Sequence, residues 1–373
     1  MSGYKGNTSV AKRIKRLAET RGTPFLAIDR KEVTRRYRSI TRALPESRIF
    51  YAVKANPHRK VIELLHSLGC GFEISSEQEL KLVLGCGVPS EQIISSNPLK
   101  NVSFIEAAHE AGVRYFAFDS HNEIEKLAEF APGSNVYVRL AVPNEESQWP
   151  LARKFGVETA TAAQLLIEAS RKPLNPCGIT FHVGSQCPGK SAWKTAIQKS
   201  RAVWETAEDA GLKLSMLNLG GGFPIKYTSS VPSVSDIART ILHTLEGEFP
   251  RNITTFIEPG RALVGDAGVL VSSVIAKARR DGENWLYLDV GVFNGLLESL
   301  GGIQYSLETD SDGDLVNWVL AGPSCDSMDV ISNRVVLPEL EIGDKVYIMP
   351  AGAYTTAYAS RFNGISIPKV YYI

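Results

Sequence analysis

The chain has no cysteine pair. Its five thiols, Cys70, Cys86, Cys177, Cys187 and Cys325, are scattered without a CxxC spacing, which excludes a disulfide framework and a cysteine-rich zinc site; no metal is expected. No charge of either sign dominates, since 41 basic residues face 40 acidic ones for a net charge of +1. That removes the basic footprint of a nucleic-acid binder and of a polybasic membrane-surface protein. Long hydrophobic runs are missing too: the most apolar stretch, residues 262–276, is short for a bilayer span and contains Asp266. The opening segment MSGYKGNTSVAKRIKRLAETRG lacks the apolar core of a signal peptide, and its Ala11, Ile14, Leu17 and Ala18 space instead like one face of a short helix. The expectation is a cytoplasmic protein with neither membrane nor nucleic acid as a partner.

What is present is a globular composition, 44% hydrophobic and 9% aromatic, over 373 residues, a length that suggests two domains. Short β-rich runs at 48–53, 71–75, 92–95, 114–118, 135–140, 178–183, 216–219 and 254–258 alternate with stretches of helical periodicity at 61–68, 78–84, 103–111, 123–130, 162–170, 192–210 and 235–245. Such alternation implies parallel βα units, and eight of them in about 210 residues match a (β/α)8 barrel better than an open doubly wound sheet. After residue 262 helical periodicity fades, and 286–289, 318–321, 345–349 and 370–373 read as strands of a β-rich second domain. The expected division is a helical segment at 1–23, the barrel at 24–262 and a β-domain at 263–373. The short strand at 24–29 is free to pair with either domain.

A barrel places its chemistry at the C-terminal ends of its strands. Those ends read Lys54, Glu73, Asn97, Asp119, Arg139, His182, Gly220 to Gly222, and Glu258. Taken singly, each has a plain account: a snorkelling lysine, a structural histidine, a flexible glycine loop, an ion pair between Glu258 and Arg261. Together they suggest more. A lysine in a barrel mouth can form a Schiff base, and His182, beside Ser185, can stack on a flat heteroaromatic ring. A glycine run after strand seven with Arg261 after strand eight suits a phosphate. In the second domain, GPSCDSMD (322–329) sets Cys325 between Ser324 and Asp326, unlike the other cysteines, which read as small buried apolar groups. Tyr354 in GAYTTAY and the Phe362-Asn363-Gly364 turn are ambiguous alone.

The motifs YAVKAN, FHVGSQ, GGGFP, EPGR, GPSCDSMD and GAYTTAY occur in that order, and with them the chain resembles the ornithine/diaminopimelate/arginine decarboxylase family. These are pyridoxal 5'-phosphate enzymes built from an alanine-racemase-like barrel and a β-domain; the resemblance runs from about residue 24 to the C-terminus and is strongest to bacterial-type ornithine decarboxylases. It implies that Lys54 carries the cofactor, that His182 stacks on its ring, and that Glu258 pairs with its ring nitrogen. Ser185, Gly221, Gly222, Arg261 and Tyr354 would bind the phosphate, with Pro259 and Gly260 in the same motif. Cys325 would be the proton donor after loss of CO2, Asp326 would bind the distal amine of the substrate, and Phe362 would border it. In the family the cysteine loop reaches the active site of the other subunit, which implies a homodimer with shared sites.

Two positions depart from the family pattern. Phe72-Glu73 stands where many members have Phe-Asp, which keeps the charge and adds a methylene. The segment GVFNGLLES (291–299) lacks the aspartate of eukaryotic-type enzymes, and Glu298 is its nearest acid. The activity implied is decarboxylation of the small amino acid L-ornithine to putrescine and CO2, in polyamine synthesis. Lysine, alone or beside ornithine, is the alternative substrate, and a non-catalytic pyridoxal-phosphate-binding regulatory relative is the alternative of another class. A monocarboxylate selector such as Asp326 suits ornithine or lysine better than diaminopimelate, whose far end carries a second carboxylate.

Overall fold

The computed structural model describes residues 8–151 and 153–373. The chain opens with helix α1 (Thr8–Arg21), strand β1 (Phe25–Ile28) and helix α2 (Arg30–Ala43). It then winds through eight strands, β2 (Ser47–Ala52), β3 (Gly71–Glu73), β4 (Ile93–Ile94), β5 (Tyr115–Phe118), β6 (Asn135–Arg139), β7 (Asn175–Thr180), β8 (Met216–Asn218) and β9 (Thr254–Ile257). The intervening helices are α3 (Arg59–Ser67), α4 (Glu77–Leu84), α5 (Val102–Glu110), α6 (His121–Phe130), α7 (Thr159–Ala169), α8 (Lys190–Asp209) and α9 (Val234–Glu248). The strands run parallel in the order β4-β3-β2-β9-β8-β7-β6-β5, and a parallel bridge between Ser95 and Phe116 joins β4 to β5. That bridge closes the sheet into the expected barrel.

The barrel is filled from within. Phe50, Ile94, Ala117, Tyr137, Met216 and Phe256, from six strands, form one buried cluster, and Phe50 meets Phe256 at a ring-centroid distance of 4.8 Å. Below them the Arg48 guanidinium lies over both rings, at 5.3 and 5.1 Å. This cation–π stack floors the barrel. At the rim, Lys100 is fully buried, pairs with Glu123 at 2.9 Å and donates to the carbonyls of Asn97 at 2.9 Å and Ala117 at 2.6 Å. Lys126 reaches the second Glu123 oxygen at 2.6 Å. A buried ammonium is tolerable only with partners of this kind, and here it ties the loop after β4 to β5.

The β-rich unit contains β10 (Gly268–Arg280), β11 (Glu283–Leu288), β12 (Ser306–Thr309), β13 (Leu315–Ala321), β14 (Val330–Pro338), β15 (Lys345–Met349) and β16 (Lys369–Tyr372). Their order is β12-β15-β10-β11-β13-β14, with β1 and β16 attached through β10. The apolar stretch at 262–276 thus largely becomes the start of a 13-residue strand, and among the described residues no helix is long and apolar enough to cross a membrane.

The chain separates into two compact units, one of residues 34–224 and 231–262, the other of residues 8–33, 225–230 and 263–373. Of the two pairings left open for the strand at 24–29, β1 takes the one with the β-rich unit, antiparallel to β10 and parallel to β16. The described part of the 1–23 segment goes with it, because Ala11, Ile14 and Ala18 of α1 pack on Phe25, Ala27, Val269, Val271 and Tyr347. Residues 1–7 lie outside the described residues. The excursion at 225–230 also joins this unit, where Ile225 and Tyr227 cluster with Ile303 and Tyr305.

Candidate active site

Every barrel residue singled out in the sequence lies at the C-terminal end of a strand. Lys54 sits in the single turn Val53–Ala55 that follows β2, half exposed, with its Nζ 3.1 Å from Oε2 of the buried Glu73 at the end of β3. Glu73 Oε1 accepts from Ser75 Oγ at 3.1 Å. Ser75 N donates in turn to Glu79 at 2.7 Å. Two carboxyls therefore flank one serine, and burial together with the Glu73 charge pushes Glu79 up to about 7.

His182 follows β7. Its Nδ1 accepts from Gly184 N at 3.0 Å, which leaves the ring proton on Nε2 when the ring is neutral. Burial, then the Arg139 and Lys54 cations, hold its pKa well below the usual histidine range, so the ring is neutral at pH 7. After β8, Gly220 and Gly222 adopt φ of 64° and 99°, a region that L side chains avoid. Gly221 between them has no room: a Cβ there would lie 2.7 Å from the Glu258 carbonyl oxygen and 3.1 Å from His182 Nε2. Glu258 follows β9, with the Pro259 carbonyl accepting from Ala52 N at 3.4 Å and Gly260 packed against Ala52 and Ala55. The buried Arg261 donates through Nη2 to Ser185 Oγ at 3.2 Å.

Glu258 also brings in residues that the sequence did not single out. Its Oε1 accepts from Ser96 Oγ and from Asn218 Nδ2 at 2.5 Å, and Ser96 Oγ lies 2.7 Å from the Tyr137 hydroxyl. Ser96, Asn218, Tyr137 and Glu258 are all buried. Burial and the Glu73 charge raise the Glu258 pKa, while the Ser96 and Asn218 donors and the Lys54 cation oppose the rise.

The remaining candidates lie in the β-rich unit. Cys325 is exposed, whereas Cys70 and Cys187 are buried and Cys86 and Cys177 half-buried. Burial pushes Cys70 and Cys177 up to about 12 and Cys187 to about 11, which keeps those thiols inert. Cys325 N and Sγ both donate to Asn363 Oδ1, at 3.2 and 3.3 Å. Asp326 Oδ1 accepts from Met328 N at 2.8 Å. The cysteine loop is anchored by the buried Asp329, which accepts from Val292 N at 2.7 Å and Ser324 N at 2.9 Å. Phe362 meets Phe293 at 4.8 Å. Segments 291–299, 322–329 and 362–364 therefore converge, and the buried Glu298 lies in the first of them, in the turn Leu297–Gly301. Tyr354 takes a left-handed conformation with φ 61° and stacks on Tyr358 at 5.4 Å.

The barrel residues fit pyridoxal phosphate. Around Arg261 the side-chain donor set is a guanidinium and a hydroxyl, next to a glycine turn that close packing keeps free of side chains, which suits a phosphate. A reachable amine at Lys54 and a buried carboxylate at Glu258 suit an aldehyde and a ring nitrogen.

Comparison with known proteins agrees. Residues 30–265 match the family model described as pyridoxal-dependent decarboxylase, pyridoxal binding domain. A lysine/ornithine decarboxylase of Selenomonas ruminantium is 36% identical over 95% of this chain and 90% of its own length. Antizyme inhibitor 2 of Xenopus laevis is 35% identical over 93% of this chain and 80% of its own. Among solved structures, the lysine/ornithine decarboxylase of Vibrio vulnificus complexed with cadaverine superposes with a TM-score of 0.90 at 33% identity, covering 97% of this chain and 98% of that one. A strand-end lysine, a buried carboxylate network and a phosphate-type donor set on such a barrel place this chain in the ornithine/diaminopimelate/arginine decarboxylase family, as a pyridoxal-phosphate-dependent amino-acid decarboxylase.

Proposed function

We propose that the chain decarboxylates L-ornithine to putrescine and CO2, as a cytoplasmic enzyme of polyamine synthesis. The observation that carries this reading is the barrel rim itself: the Lys54 amine 3.1 Å from buried Glu73, with Glu258 saturated by donors on one oxygen. Lys54 holds the cofactor, Glu73 keeps the Lys54 amine oriented, and His182 presents a neutral ring face. Ser185, Gly221, Gly222 and Arg261 hold the phosphate from the barrel side, with Pro259 and Gly260 shaping the turn, and Tyr354 adds a hydroxyl. When bound, the cofactor supplies an electron sink for the charge left at the α-carbon. Cys325 then delivers its proton to that carbon.

Asp326 selects the substrate: a carboxylate one residue from the proton donor rewards a cationic distal amine and penalises an uncharged chain. Phe362 and Glu298 border the same segments of the β-rich unit and bear on chain length. Cys325 and Asp326 act in the site of a second copy, which makes the working form a homodimer. Lysine as a second substrate is favoured by the names of the relatives from Selenomonas and Vibrio, both lysine/ornithine decarboxylases. The resemblance to an antizyme inhibitor favours a binding role instead, against which stand the retained Lys54 and Cys325.

Turnover of ornithine, lysine, arginine and diaminopimelate, each as both enantiomers, tests the proposal. CO2 and putrescine from L-ornithine are expected. No putrescine, with cadaverine from L-lysine, would move the assignment to lysine, and no CO2 from any substrate would favour the binding role.

A further inference from the structure

The contacts around Glu258 have a direction. Ser96 has one hydroxyl proton and donates it to Glu258 Oε1, so in the 2.7 Å contact with Tyr137 the phenol is the donor. Tyr137 is held in turn, since its ring belongs to the barrel's inner cluster beside Phe50, Ile94 and Phe256. On the other side, Asn218 Oδ1 accepts from Gly220 N at 3.0 Å, which fixes the amide so that Nδ2 faces Glu258 at 2.5 Å. Two donors thus meet on Oε1, and among the described residues Glu258 Oε2 accepts no hydrogen bond from the protein.

We propose that Ser96 and Tyr137 are positioning residues for this reaction: the chain of donors from Tyr137 through Ser96, locked by Asn218, saturates one Glu258 oxygen and leaves the other for a protonated ring nitrogen. This rests on the assignment of Glu258 to that nitrogen. Hydrogen bonds to the charged form of a carboxyl favour that form. They are needed here because burial and Glu73 push the other way. The ionisable groups facing Glu258 are Glu73 from β3, Lys54 after β2, Tyr137 and Arg139 from β6. Of these the two cations help the carboxylate, and Tyr137, whose pKa lies well above its usual value, stays a neutral donor. Asn218 has a second consequence, because the same side chain holds the glycine turn of the phosphate end and the carboxylate of the ring end.

The test is a pH titration of the visible absorption of the holoprotein, with Ser96→Ala, Tyr137→Phe, Ser96→Thr and Glu258→Gln. Losing a hydrogen bond to a charged group is worth about one pH unit or more. Ser96→Ala is therefore expected to move the spectral midpoint that depends on Glu258 up by about one pH unit. Tyr137→Phe should move it less in the same direction, and Ser96→Thr should leave it in place. A merely structural role would lower thermal stability or cofactor loading with the midpoint unmoved, and that result overturns the proposal. If Ser96→Ala does not take up cofactor, Tyr137→Phe removes the same relay by deleting one oxygen, and an unmoved midpoint there overturns it equally. Glu258→Gln separates the two levels: it should abolish the transition. A transition unchanged in Glu258→Gln would defeat the assignment of Glu258 itself.

Discussion

Glu79 is a second carboxyl beside the Lys54–Glu73 pair, and it is held at about 7 where an ordinary glutamate sits at 4.5. Linkage gives the sign. The fold binds this proton more tightly than the unfolded chain does, so the contribution of Glu79 to stability is greatest below 4.5, falls as pH rises, and is fully lost above about 7. At about 1.4 kcal/mol for each tenfold in affinity, the ionised fold is penalised by roughly 3 kcal/mol at most. Partial exposure of the group reduces this to about 1–2 kcal/mol. Glu79→Gln removes the charge and keeps an oxygen for Ser75 N, so it mimics the protonated wild type. At about pH 3.5, below the unfolded value, the two proteins should therefore unfold nearly alike. At pH 8 the variant should be more stable by about 1–2 kcal/mol, or several degrees in Tm at about 2–4 °C per kcal/mol. Thermal unfolding of both holoproteins by circular dichroism across that range measures the difference, and titrating groups remote from Glu79 cancel in the comparison. Glu79→Ala is the internal control: it loses the charge and the bond to Ser75 together, so it should lose about 1 kcal/mol at about pH 3.5. A Glu79→Gln advantage that stays constant with pH, or reverses at pH 8, would refute the reasoning.

Cys325→Ala should leave CO2 release largely intact while the share of aldehyde product rises, because the proton is then placed wrongly. A variant that yields amine alone at the wild-type rate rules the thiol out as donor. Mixing Lys54→Ala, which lacks the cofactor lysine, with Cys325→Ala, which is deficient in amine formation, should restore amine formation to about a quarter of the wild-type level, since half the dimers become mixed and each mixed dimer holds one intact site. Absence of recovery, with exchange of subunits shown by native mass spectrometry, refutes the shared site. Lys100→Met strands the Asn97 and Ala117 carbonyls and half of Glu123, and breaking a buried pair of this kind costs about 3–5 kcal/mol. Lys126 still neutralises Glu123, so the lower end is expected, and a loss under about 1 kcal/mol in chemical unfolding would show the cluster to be incidental.

How much of this was legible in the sequence follows from periodicity. The eight barrel strands read as short apolar runs and the seven helices between them carry period-3.6 patterns, and each appears within a few residues of its expected place. Helix α2 is hard to read from sequence because half of RKEVTRRYRSITRA is charged and it buries little beyond Val33 and Ile40. In the β-rich unit, β14 is hard to read because half-exposed VISNRVVLP has no clean alternation. The partners of β1 and the membership of 225–230 depend on pairings far away in sequence, and no local pattern encodes them. The site divides in the same way. Lys54, His182 and Glu258 stood out because their chemistry is unusual at a strand end, whereas Ser96 and Asn218 look like ordinary loop residues. Parity is the signal that could have found them. Ile94, Ala117, Tyr137, Met216 and Phe256 face the inside of the barrel, and side chains two residues apart on a strand share a face. One step up from that layer are Ser96, Asp119, Arg139, Asn218 and Glu258. The carboxylate and its donors are therefore the next inward layer above the core, and their spacing is inherited from the same pleat that packs Phe50 against Phe256. A change in barrel packing at Tyr137 should for that reason be felt at Glu258, although Tyr137 belongs by its ring to the core and only by one oxygen to the site.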